Sequence, residues 1–210
     1  MIEVFNRAMK RLELTPTETQ LKQMDLFISE LKIFNPVYKL VKYEDEHELV
    51  VRHFLDCLTP LALIKAELKE NDTIADLGSG AGFPGILLAI MLPEHQVYLI
   101  ERMKRRTDFL TNVIARTGLK NVTIINEDLE KVEQKFNFVT CRAFHPLFDI
   151  VTLVDKVLEK DGTFCAYKGQ QDYLKSELVV CKELPFNFEI IPIKVPYLDE
   201  ERCLCMMKRN

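Results

Sequence analysis

The chain lacks any long apolar run: the longest, Ile86 to Leu92, is seven residues. A bilayer-crossing helix needs about 20, so a membrane span is excluded. Glu3, Arg7 and Lys10 break up the apolar residues at the start, so no signal-peptide core is expected there. The cytoplasm is the expected location, with no membrane partner. Paired cysteines are also missing. The six, at 57, 141, 165, 181, 203 and 205, form no C-x-x-C motif. They are expected to be reduced and mainly buried, with Cys203 and Cys205 on one strand face, and no metal is expected. An excess of positive charge is absent as well. Against 28 Lys and Arg stand 32 Asp and Glu, a net charge of −4. That is not the global signature of a nucleic-acid binder, so any RNA contact needs a local basic patch. There is no internal repeat, no low-complexity segment and no Gly/Ser linker.

What is present falls into two textures. Residues 1–70 read as helical and residues 71–210 as alternating strands and helices. Thr15-Pro16-Thr17-Glu18 is a helix start, with Thr15 as cap and Glu18 completing a capping box. Leu21, Met24, Phe27, Ile28, Leu31 and Phe34 follow at helical spacing, and Asn35-Pro36 is expected to end the helix. A second amphipathic helix is expected over 46–58. Beyond Asn71, strands are expected over 73–77, 96–100, 122–126, 138–141 and 163–167, with helices over 85–91, 104–117 and 147–158. Two more strand-like runs, 189–195 and 202–207, close the chain. Such alternation implies an α/β fold: a doubly wound, mostly parallel sheet of seven strands. The N-terminal helical extension is expected to pack on this core as one structural unit.

The first strand runs into Asp76-Leu77-Gly78-Ser79-Gly80-Ala81-Gly82-Phe83-Pro84-Gly85. Glycines allow a tight turn and close approach of a ligand, and the loop lies at the carboxyl end of a parallel strand, where such sheets bind ligands. Glu101 ends the next strand and can accept bonds from both ribose hydroxyls of a nucleoside. Two cofactors fit. Gly80, Gly82 and Gly85 match the dinucleotide fingerprint, which would make the chain a NAD-dependent oxidoreductase. Asp76 before the first glycine instead resembles the first motif of class I methyltransferases. Pro84 also removes an N–H that a pyrophosphate would use, whereas S-adenosylmethionine carries no phosphate. Asp128, Leu129 and Glu130, after the third strand, are placed to flank an adenine.

Several motifs together resemble one family, the glucose-inhibited division protein B family of bacterial small-subunit rRNA guanine-N7 methyltransferases. They are Val51-Arg52-His53-Phe54-Leu55-Asp56, Asp76 to Gly85, Lys104-Arg105, Arg142-Ala143, Lys168-Gly169, Val195-Pro196 with Leu198-Asp199, and Arg202. The likeness spans about residues 30 to 208. The family's Trp-Asn-Lys stretch is replaced by Ile33 to Tyr38 in a chain without tryptophan, its Asn-Leu-Thr by Lys39-Leu40-Val41, a serine by Cys57 and an aspartate by Glu101.

The resemblance implies a class I methyltransferase fold, S-adenosylmethionine as cofactor, and 16S rRNA or an assembling small subunit as partner, with the protein a monomer. It also implies cofactor contacts at Gly78, Phe83, Leu129, Glu130 and Arg142. Those join Asp76, Gly80, Gly82, Glu101 and Asp128 from the loop readings. Arg52, His53, Lys168 and Arg202 are then expected on the substrate side, positioning it. Guanine N7 bears a lone pair and no proton, so no general base is needed and His53 is expected to orient or contact RNA. Arg102, Lys104, Arg105 and Arg106 open a helix where cations oppose its dipole, which favours an RNA-contacting patch. A non-catalytic RNA-binding or cofactor-sensing protein on the same fold stays open beside the enzyme.

Overall fold

The computed structural model describes residues 2–142, 146–181 and 184–210. Among them seven strands form one sheet: β1 (Ile74–Leu77), β2 (Val97–Ile100), β3 (Val122–Ile125), β4 (Phe136–Arg142), β5 (Leu158–Lys168), β6 (Phe186–Ile193) and β7 (Arg202–Arg209). Their order is β3-β2-β1-β4-β5-β7-β6. The first five pair in parallel, and β7 runs antiparallel to β5 and β6. The fold is that of class I methyltransferases. Strand order reverses between β1 and β4, and ligands bind at such switch points beyond the strands' carboxyl ends.

The helices are α1 (Ile2–Arg11), α2 (Glu18–Tyr38), α3 (Glu46–Leu49), α4 (Asp56–Leu58), α5 (Leu61–Glu67), α6 (Gly85–Met91), α7 (Lys104–Thr117), α8 (Leu147–Val157) and α9 (Gln171–Val180). A π-helical turn, Val50–Leu55, joins α3 to α4. Period-two alternation in β2 sends Val97 and Leu99 to one sheet face and Ile100 to the other. On the first face Phe27, Leu31, Phe54 and Leu58 share a core with Leu88 and Phe109. The helices before residue 70 therefore bury their apolar stripes in the sheet's own core. Each fully buried Phe or Leu contributes roughly 1.5–3 kcal/mol by leaving water. On the second face α8 and α9 bring Ile150, Val154 and Leu174 against Leu77, Val139 and Phe164. All six cysteines are free and buried.

Helix α2 departs from expectation at both ends. Its cap is Thr17, not Thr15: Thr17 Oγ1 accepts from Gln20 N and Gln20 Oε1 accepts from Thr17 N. Two overlapping capping boxes compete, and the second wins because Gln20 also donates across to the Ile90 carbonyl at 2.8 Å. The helix then runs through Pro36 to Tyr38. Pro36 sits in the last turn, where one lost N–H is tolerable. The Asn35 side chain clamps both backbone groups of Val41, and Lys39, in the left-handed region at φ 52°, donates to Asn35 O. The region expected as one helix over 46–58 is helical throughout but interrupted by the π turn. Strand β5 starts at Leu158, β6 ends at Ile193 rather than 195, and α9 had no counterpart in the pattern.

Candidate active site

The glycine loop joins β1 to α6 through three left-handed turns, at Gly78 (φ 65°), Gly80 (φ 55°) and Gly82 (φ 89°). The glycines serve different ends. A Cβ on Gly82 would lie 2.6 Å from Ile86 Cγ1, and one on Gly85 would strike Leu99 and lie 2.6 Å from Asp76 Oδ2. Both are glycine for packing. A Cβ on Gly80 would make only ordinary contacts, with Gly78 O at 3.6 Å and Arg106 Nη1 at 3.9 Å, so this position, unlike the other two, has room for an added atom. Gly80 is the part of the loop a ligand can approach.

Asp76 is wholly buried below the loop. Its Oδ2 accepts from Gly85 N at 3.0 Å, while Oδ1 is buried with no partner. Burial raises its carboxyl to about 7, opposed by the Gly85 bond. The first amides of α6 are already spent: Gly85 N on Asp76 and Ile86 N on Gly82 O, with Pro84 before them offering none. A pyrophosphate would find no free donor there. A cofactor without a phosphate loses nothing at this helix start, and the buried Asp76 carboxyl holds the loop from beneath through Gly85.

Glu101 stands beside Gly80, as its spacing required. Its Oε2 accepts from Gly80 N at 3.0 Å and from Arg106 Nη1 at 3.3 Å, and Oε1 from Met103 N at 2.8 Å. It is 3% exposed, beneath the Arg106 guanidinium. Oε1 retains a lone pair for a ribose hydroxyl. Across β3, Asn126 ties the Glu101 and Arg102 carbonyls. Asp128 caps a short turn at Glu130 N and pairs with Arg102 at 3.4 Å, Leu129 is buried, and Glu130 is exposed.

A second concavity, a cleft of about 910 Å³, opens next to the loop. Arg52 and His53 reach it from the π turn, Arg142 from the end of β4, Lys168 from the end of β5 and Arg202 from the start of β7. The structure brings these four residues together in one cleft with Arg142, which also lies over Phe83 of the glycine loop. Phe83, expected to touch cofactor, is buried. Its ring stacks on His53 (centroids 5.4 Å) and lies under Arg142 (5.2 Å), so it couples loop to cleft. Ala143, part of the Arg142-Ala143 match, lies outside the described residues.

Both ring nitrogens of His53 are committed. Nδ1 accepts from Arg142 Nη2 at 2.9 Å, so Nε2 carries the proton and donates to Lys42 O at 3.1 Å. Burial, then the charge of Arg142, lowers its pKa to about 4. Because the unfolded imidazole binds its proton near 6.5, stability from neutral His53 is complete above about 6.5 and lost as pH falls toward 4. In this arrangement neither ring nitrogen has a lone pair left to take a proton.

Sequence reasoning singled out Arg52 and His53 but passed over Asp56, three residues on, which sits between two guanidiniums. Its Oδ2 accepts from Arg142 Nη1 at 3.2 Å, and Arg202 Nε lies 3.3 Å from Oδ1, an ion pair without a well-aligned hydrogen bond. Arg52 pairs with Glu48 and Glu200, and Lys168 with Glu177 at 2.9 Å. The Asp in the Val51–Asp56 motif was the available signal. In the basic cluster, Arg102 pairs with Asp128, Lys104 with Asp108 and Arg106 with Glu101. Arg105 is exposed and packs over the Tyr38 ring at 5.8 Å. Arg106 therefore belongs to the cofactor side as much as to any RNA patch.

A family model described as rRNA small subunit methyltransferase G matches residues 20–205. The curated ribosomal RNA small subunit methyltransferase G of Francisella tularensis subsp. novicida is 32% identical, over 100% of this chain and 98% of its own length. That of Treponema denticola is 33% identical, over 90% and 86%. Among solved structures, a SAM dependent methyltransferase from Aquifex aeolicus superposes with a TM-score of 0.60 at 17% identity, covering 86% of this chain and 97% of its own. A ribosomal protein L11 methylase from Lactobacillus delbrueckii subsp. bulgaricus gives 0.58 at 17% identity, covering 73% and 78%.

Proposed function

The chain belongs to the rRNA small subunit methyltransferase G family, and from that premise we propose that it methylates N7 of a guanine in 16S ribosomal RNA. It is a small-subunit rRNA methyltransferase that uses S-adenosylmethionine. The observation that carries the site assignment is one of adjacency. The open cradle at Gly80 and Glu101 is joined to the cationic cleft through Phe83, which touches both His53 and Arg142. Both parts come from one chain, so the site needs no second copy and we read the protein as a monomer.

S-adenosylmethionine supplies an electrophilic methyl group on a sulfonium. Gly78, Gly80 and Glu101 hold the nucleoside in this reading, Asp76 braces the loop from beneath through Gly85 N, and Asp128 and Glu130 border the adenine. Arg52, Lys168 and Arg202 hold the RNA. N7 has no proton to lose, so the chain contributes alignment, worth roughly 7–11 kcal/mol at best. His53 keeps Arg142 in place.

Mass mapping of rRNA guanines with and without the protein tests the acceptor. With saturating RNA and cofactor, the single-turnover rate is expected to stay flat between about pH 6.5 and 8.5, because the imidazole is already neutral there and the buried Asp76 carboxyl, raised to about 7, meets no reacting atom. His53→Gln, which keeps an acceptor for Arg142 and a donor for Lys42 O, should hold the rate within about threefold. A rate that climbs with pH and disappears in His53→Gln means a proton is removed, and N7 is then the wrong atom.

The basic cluster is tested at Arg105 alone, because charge reversal at Arg106 would also disturb Glu101. Arg105→Glu should weaken RNA binding and flatten the slope of log affinity against log salt by about one, with cofactor affinity unchanged. An unaltered slope makes Arg105 a solvated cation packed on Tyr38.

A further inference from the structure

Helix α9 turns only a short stripe to the core: of its ten residues Leu174 is buried and Leu178 packs beside it. Its N-terminal turn borders the cleft, and there Tyr173 is 62% exposed. Among the described residues the Tyr173 ring has no aromatic or cationic partner. The exposed valines of the same helix, Val179 and Val180, lie about two turns away and are not part of the cleft wall. The cleft wall around Tyr173 carries the cations Arg52, Arg142, Lys168 and Arg202, spaced by the carboxylates Glu48, Asp56 and Glu177. A lone aromatic face among cations is how proteins hold unstacked nucleotides: the cations take phosphates and the ring takes a base. The cleft's volume falls within the range of small-molecule sites, which suffices for a nucleotide. In paired RNA the guanine N7 faces a deep, narrow major groove that side chains cannot enter, so the base must leave the helix to reach an enzyme-bound methyl group.

We propose that Tyr173 is the platform on which the target guanine stacks once it has left the RNA stack. This rests on the reading that the cleft receives a guanine of small-subunit rRNA. The platform lowers the free energy of the extruded base and fixes its plane, while the paired cations of the cleft rim bind the flanking backbone. Its sequence tolerance leaves the choice of guanine to other contacts.

The chain has no tryptophan, so Tyr173→Trp introduces a single indole at the platform. Its fluorescence should be quenched by small-subunit rRNA in the presence of S-adenosylhomocysteine, and the variant should methylate at near wild-type rate. Tyr173→Phe should stay within about twofold of wild type. Tyr173→Ala should lose roughly 5- to 150-fold, the range for one base–aromatic stack, and mainly in RNA KM. Its cofactor affinity and melting temperature should not change. A folded Tyr173→Ala with wild-type KM, a Phe variant as impaired as Ala, or an active Trp variant whose indole is not quenched overturns the platform while the methyltransferase reading stands. Quenching by rRNA with no methylated guanine in the wild-type reaction overturns the acceptor instead and leaves the platform.

Discussion

Gly80→Val is expected to abolish S-adenosylmethionine binding in calorimetry while the protein stays folded. The backbone there is left-handed, at φ 55°, which costs a side chain roughly 1–2 kcal/mol. That is a fraction of the 5–15 kcal/mol by which a domain is stable. The protein leaves room for the new Cβ, whose first contacts are Gly78 O at 3.6 Å and the Arg106 guanidinium at 3.9 Å. What it fills is the space beside Glu101 that the nucleoside needs. Gly85→Ala makes the contrast: its Cβ would collide with Leu99 and crowd Asp76, so it should lower stability and reach the cofactor only through the loop. Glu101→Ala should weaken binding without abolishing it, because it also frees the Gly80 and Met103 amides it now accepts. Unchanged affinity in a folded Gly80→Val protein would falsify the cofactor site. Circular dichroism and melting run alongside calorimetry separate loss of fold from loss of site.

Asp56→Ala is expected to destabilise the protein by about 3 kcal/mol, the lower end of what breaking a buried ion pair costs. The carboxylate is 7% exposed and faces two guanidiniums, Arg142 and Arg202, that are 17% and 19% exposed. Burial raises its pKa and the two arginines oppose that rise. Removing it leaves two poorly solvated cations facing each other. Both border the cleft and recover some hydration, hence the lower end of the range. For a chain of this length Tm should fall by roughly 6–12 °C. Denaturant unfolding at fixed pH measures the free energy, and a loss under 1 kcal/mol would show that the arginines are solvated by the cleft. Surviving Asp56→Ala protein should also bind RNA less well, because Arg142 and Arg202 lose the group that spaces them.

The sheet half was legible because short apolar runs alternate with helical patterns. Helices α6 and α7 have the bounds their sequences implied, and each of the seven strands overlaps the run expected for it, β5 beginning five residues early. The errors have local causes. Two capping boxes overlap at Thr15 and Thr17, and only the Gln20–Ile90 contact chooses between them. Pro36 signals a helix end, yet the Asn35 clamp on Val41 carries α2 two residues further. Helix α9 offers only Leu174 and Leu178 to the core, a stripe too short to read. The sequence by itself determined the fold class, the glycine loop and Glu101, because these depend on residues close along the chain whose backbone demands are local. The tertiary structure alone decided that Arg142 serves the cleft, that Phe83 is core, that His53 is spent on Arg142, and that Tyr173 stands exposed at the rim. Those outcomes rest on partners such as Arg142 with Asp56 and Arg52 with Glu200, which are 86 and 148 residues apart. A charge or ring shows no sign of its partner until folding brings the two within a few ångströms, and burial then sets what the pair can do.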